Sequence, residues 1–284
     1  MSDTRLLRRA LAVVNASCLV AGLGAAVAMR TEGRGDDAPA NAAATPASGG
    51  SAAASADGGP AGAVAPAGSS SPAPAALPAA GDTAGAGAVN APKAGKYRYK
   101  TTINDQVAEQ PMVVEDVSRK GRDAVQVFVM DVNGSKVRND VIWSADRVML
   151  SKSAFDFGRS TGDCDWTPDV TQTVLVAKAG TAWQSDSSCT VTMSGVPIRM
   201  ARRSSTTVAG IERLQVAGET LDVWRFDATT QSDFNGRVSD ATEKTWFSPK
   251  YGLVVKGITT TTTKSGDKTR TIESLSELQN LEPE

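Results

Sequence analysis

Ala124-Val-Gln-Val-Phe-Val-Met-Asp-Val132, then Asn133-Gly134, then Val137-Arg-Asn-Asp-Val-Ile-Trp143, decide the fold class. Two runs rich in Val, Ile and aromatic residues flank an Asn-Gly pair. That pair tolerates the positive φ that both centres of a two-residue hairpin turn require. β-Branched residues lose rotamer freedom in a helix and pack well on a pleated surface. The same period-two alternation runs outward in both directions. Upstream it covers Tyr97–Thr101 and Pro111–Val117; downstream it covers Arg147–Lys152 and then most of Thr190–Leu278. Thr259–Thr263 suits a strand, and Gly218, Gly236, Gly252 and Gly266 sit at or near the breaks. Pro168–Ala177, with Asp169 as a cap, is the one helix candidate in this region. The expectation is all-β: a single antiparallel, strongly curved sheet or open barrel of about ten to twelve strands.

Only the last two thirds of the chain can build such a core. All fourteen aromatic residues lie beyond position 95. Ala10–Met29 is an uncharged apolar run long enough to cross a bilayer at about 1.5 Å per residue. Arg5, Arg8 and Arg9 precede it, which predicts a cytoplasmic N-terminus and an extracytoplasmic head. Ala26-Val27-Ala28 also fits a cleavage site, so a secreted product cut near Ala28 stays open. Lipidation at Cys18 is a third reading. The expected plan is a cytoplasmic N-terminus (1–9), a transmembrane helix or uncleaved signal anchor (10–29), a disordered Ala/Pro/Gly/Ser linker (30–94) and an extracytoplasmic β-domain (95–284). The linker composition cannot bury enough apolar area to offset ordering entropy.

Charge and chemistry narrow the function classes. The formal net charge is −1, and basic and acidic residues balance from Lys93 onward, so no nucleic-acid footprint is present. The chain has no histidine. That removes Ser-His-Asp and Cys-His catalysis and the commonest metal ligand. Cys164 and Cys189 are expected to pair outside the cytoplasm, with Trp166 and Trp183 packing near the bridge. Gly158-Arg159-Ser160-Thr161-Gly162 matches the nucleophile-elbow pattern in letters only, because the elbow needs a following helix and a histidine. Asp163, Asp165 and Asp169 lack the alternating ligands and glycine of a calcium loop. No catalytic residue, metal site or cofactor is assigned, and the domain is read as non-catalytic.

Thr245-Trp-Phe-Ser-Pro-Lys-Tyr-Gly-Leu-Val-Val-Lys256 is the most distinctive stretch: a strand ending in two aromatics, a Pro-to-Gly turn and a return strand. With Cys164-Asp165-Trp166, it resembles membrane-anchored all-β envelope proteins of high-GC Gram-positive bacteria that have no assigned function. Its Trp-Phe-Ser-Pro-Lys-x-Gly-Leu pattern is similar to the closing hairpins of open-barrel lipoprotein carriers and mycobacterial lipid-binding lipoproteins. The resemblance implies a bent sheet around an apolar cavity. It departs from those folds in lacking a lipobox and the helices that plug the carriers. Candidate lining residues are Tyr97, Tyr99, Phe128, Trp143, Trp224, Phe226, Trp246 and Phe247. The expected partners are the membrane, through Ala10–Met29, and either a lipid or other apolar envelope molecule or, alternatively, another envelope protein on which the head docks.

Overall fold

A computed structural model describes residues 90–284, apart from 121–122, 133, 157, 159–160, 176–177, 194 and 266–267. The expected membrane segment, and the linker before residue 90, lie outside the described residues. Thirteen strands follow one another. They are β1 (Gly95–Ile103), β2 (Gln106–Val114), β3 (Ser118–Lys120), β4 (Asp123–Val132), β5 (Ser135–Trp143), β6 (Arg147–Asp156), β7 (Thr161–Val174), β8 (Ala182–Met193), β9 (Val196–Val216), β10 (Glu219–Phe234), β11 (Arg237–Ser248), β12 (Leu253–Ser265) and β13 (Lys268–Leu278). No described residue is helical.

Consecutive strands pair antiparallel except β2 and β3, β1 pairs with β13, and β2 pairs with β4. The last contact closes a ring of twelve strands, with short β3 paired to β4 outside it. The expected open barrel is therefore corrected to a closed one. Closure satisfies the edge groups that an open sheet would leave unpaired. A second correction concerns Pro168–Ala177. Residues up to Val174 continue β7, where Val and Thr favour the pleat over a helix.

The wall has two thin seams. β2 and β4 share three registered pairs, Met112↔Met130 to Val114↔Phe128. β7 and β8 share one, Thr167↔Ser188. By contrast, β9 and β10 stay paired from Glu219↔Val216 to Phe234↔Met200, with one bulge at Ala209-Gly210. Four strands (β4–β7) thus close against an eight-stranded wall (β8–β13, β1, β2). The Cys164–Cys189 disulfide bridges the thinner seam. At the other seam the Gln126 side-chain amide donates to the carbonyls of Pro92 (2.8 Å) and Glu115 (3.1 Å).

Two-residue turns set the hairpin registers. Asn104-Asp105 and Asn235-Gly236 have positive φ at both positions, as a type I′ turn demands. At the β11–β12 turn, Gly252 is required twice over. Its φ is +65°, and an added Cβ would lie 2.0 Å from the carbonyl oxygen of Asn90. Asn90 N–H donates to the Pro249 carbonyl at 3.3 Å, so residues 90–94 dock against this hairpin.

The main apolar core fills the interior against β4–β7. It holds Phe128, Val137, Val141, Leu150, Phe155 and both cysteines, with Tyr97, Tyr99 and Met200 from the other wall. Fully burying a side chain such as Phe128 is worth about 1.5–3 kcal/mol in transfer terms. The Trp166 indole donates to Ser153 Oγ (3.1 Å), which donates to Asn139 Oδ1 (2.9 Å), so these three polar groups in the core are paired.

Candidate functional site

The inward positions of β8–β13 form cross-strand rows of unusual composition. One runs Ser185, Ser204, Thr230, Ala241, Thr261; the next runs Trp183, Thr206, Ala228, Glu243, Thr259, Ser274. On the other side lie Ser187, Arg202, Ser232, Ser239 and Thr263. Apart from Trp183, Glu243 and Arg202, and Ile272 and Arg270 where the first and last rows reach β13, these are small side chains. About eight strands already give an interior just wide enough for side chains to fill. For a ring of twelve strands, rows of Ser, Thr and Ala are a sparse filling. Most are buried, with Ser187 at 2% exposure and Thr206, Glu243, Thr259 and Ser274 at 8%.

Three charged residues lie on the inward rows of this hydroxyl-lined chamber: Arg202, Glu243 and, beside Thr263, Arg270. Arg202 Nη2 lies 4.0 Å from Glu243 Oε2 and 3.5 Å from Thr230 Oγ1, and its Nε–H has no partner. Burial pushes the Glu243 carboxyl above the usual carboxylate range, against the opposing pull of Arg202 and of a hydrogen bond with Thr230.

One step along the strands, the chamber meets an aromatic wall. Trp224, Phe226 and Phe247 cluster with Val208 and Val254, and half-buried Trp143 and Trp183 pack against them. Trp183 meets Phe226 edge-on at 5.7 Å, and Trp224 meets Phe226 edge-on at 6.3 Å. The indole N–H groups of Trp143 and Trp183 are buried without a hydrogen-bond partner. Buried indoles ordinarily find one, so these two donors are available to something that enters.

The structure sorts the eight candidate lining residues into three places. Trp143, Trp224, Phe226 and Phe247 come together at the aromatic wall. Tyr97, Tyr99 and Phe128 lie in the main core. Their phenols are already satisfied, Tyr97 by the Lys93 carbonyl (3.0 Å) and Tyr99 by the Val254 carbonyl (2.8 Å), and burial raises both pKa values. Trp246 joins the main apolar cluster from the opposite face of β11, its indole donating to Glu212 Oε2 at 2.7 Å. Trp166 packs with the disulfide, but Trp183 does not. It faces inward three rows from Cys189 and joins the aromatic wall.

Sequence reading missed Arg202, Glu243 and the hydroxyl rows. The available signal was the lack of apolar residues on either face of Arg202–Thr207 and Thr259–Thr263, in strands too long to be surface ribbons. The remaining sequence candidates do not converge. Gly158–Gly162 leads into a strand, and Asp163 and Asp165 flank Lys152 on the surface at 3.0 and 3.9 Å. A cavity of about 500 Å³ is lined mainly by outward residues such as Gln184, Ser205, Thr229, Thr242 and Thr260, and it also touches Ser204, Thr230 and Ala241 of the inward row. Its nearby charges are paired, as in Arg203–Asp186 at 2.7 Å.

No family model and no curated protein matches the chain. Among solved structures, the hypothetical lipoprotein YmcC from Escherichia coli K12 is similar at 13% identity. The match covers 66% of this chain and 89% of that one, with a TM-score of 0.34. At that score nothing about this chain's function follows from the likeness.

Proposed function

We propose that this chain is a tethered envelope barrel that holds an apolar or lipid-like molecule in its interior without transforming it. The observation that carries the reading is the pairing of an aromatic wall with a chamber of small hydroxylic side chains in a ring of twelve strands. The wall supplies an apolar bed and two unpartnered indole donors. The chamber supplies room and hydrogen-bonding groups for a polar end. Pockets of this kind, apolar with a few placed polar groups, are the usual form of small-molecule sites. The β2–β4 seam offers an entry route, since it holds by three registered pairs and carries no disulfide. The basic N-terminus followed by Ala10–Met29 supports a membrane tether, and the absence of histidine supports a non-catalytic role.

Ala228→Phe tests the reading. Ala228 faces inward between Phe226 and Thr230, opposite Glu243. In a filled core the larger ring costs about 1–3 kcal/mol of overpacking. In an open chamber it leaves stability nearly unchanged and blocks a single-chain lipid titrated against tryptophan fluorescence. A large stability loss, with no fluorescence response in the wild type, refutes interior binding and leaves docking on another envelope protein as the account to pursue by cross-linking.

A further inference from the structure

The arginines divide in an unexpected way. Exposed Arg203 and Arg213 hold carboxylates at 2.7 and 2.9 Å. Arg202, with a side chain only 11% exposed, makes no contact shorter than 3.5 Å among those recorded for it. Desolvation predicts the reverse, because a buried guanidinium needs its five donors paired far more than a surface one does. The adjacent sequence positions show why both arise. Period-two geometry turns Arg203 out to Asp186 and turns Arg202 into the chamber, opposite Ser187 and Ser232.

We infer that Arg202 is the seat of an anion, a phosphate or carboxylate group carried into the barrel by its ligand. The guanidinium fork matches such a group with two parallel hydrogen bonds. Ser204, Thr230 and Ser232 stand in the same or the next row with hydroxyls to complete its shell. Among the described residues, Glu243 is the one carboxylate near Arg202, and at 4.0 Å the two form a long ion pair that leaves the guanidinium fork without a close bidentate partner. The inference rests on the reading that the interior takes a ligand, and it adds the chemistry of that ligand's polar end.

The test uses the full oxidised chain with three probes: lysophosphatidate, a monoacylglycerol of the same chain length, and inorganic phosphate. The wild type should bind lysophosphatidate roughly tenfold or more tighter than monoacylglycerol, the scale of a charge-assisted hydrogen bond. Arg202→Met should abolish that preference and keep the weaker affinity for both lipids. Arg202→Lys keeps the charge without the fork; it should lose several-fold, and it serves where the Met variant does not fold. Equal wild-type affinity for the two lipids overturns the anion site and leaves interior lipid binding standing. Phosphate binding that depends on Arg202, with neither lipid bound, keeps the anion site and overturns the lipid reading. No binding of any probe to folded protein overturns both.

Discussion

Removing the Cys164–Cys189 bridge should loosen one part of the barrel wall before the rest. The bridge closes a 25-residue separation. In the chain-entropy picture a loop of that length stabilises the fold by about 3.5 kcal/mol. For a domain of about 190 residues, each kcal/mol moves the midpoint by about 2–4 °C, so Cys164→Ala/Cys189→Ala should lower Tm by roughly 7–14 °C. The location matters as much as the size. β7 and β8 share the single pair Thr167↔Ser188, whereas their outer neighbours β6 and β9 hold them through many. Hydrogen exchange should therefore accelerate first in β7 and β8, with β9–β12 protected until global unfolding. The assay is thermal denaturation together with exchange mass spectrometry on the full-length protein, oxidised and as the double variant. A shift under about 3 °C, or faster exchange spread evenly over all strands, refutes the picture of a covalent staple on a weak seam.

Glu243→Gln should remove a contribution to stability that falls as pH rises. The folded carboxyl has a raised pKa, so the fold binds that proton more tightly than the unfolded chain does. Its contribution is present in full below the unfolded value and is lost as pH rises through the folded one. Urea denaturation of both proteins from about pH 4 to pH 8 should show the Gln variant gaining on the wild type as pH rises, and parallel curves would contradict this. Gly252→Ala should cost about 1–3 kcal/mol through positive φ and the collision with Asn90. Removing residues 1–92 should relieve the collision and leave the φ cost, which thermal melts of the four combinations would separate. Phe128→Ala, at 0% exposure in the main core, should cost about 3–5 kcal/mol, and a loss under 1 kcal/mol would mean that the core collapses onto the void.

The β class was legible because its signals are local. Asn133-Gly134 and Asn235-Gly236 dictate turns, and Tyr97-Arg-Tyr-Lys-Thr101 alternates inside and out within five residues. Closure was not legible, since it depends on Met112–Val114 meeting Phe128–Met130 after twelve strands have tilted and coiled. Gly210 sits at a bulge inside one long strand, because pairing with β10 on both sides carries the ladder through. Pro168 and Asp169 imitate a helix start, but β7 already belongs to the wall. The site was hidden for a related reason. Aromatic residues announce apolar surface wherever they stand, so Trp224, Phe226 and Phe247 could be named in advance. A serine or threonine looks alike facing water or facing a lumen, and only the register of β8–β13 shows which side Arg202 and Glu243 occupy.

The central claim, an occupied barrel interior, is tested most directly by native mass spectrometry of the full oxidised chain taken from its own membrane in mild detergent. The account predicts a bound species of one lipid-like mass, released on organic extraction and absent from Ala228→Phe. A folded wild-type protein at its bare polypeptide mass, with no amphipathic molecule in the extract, would contradict it.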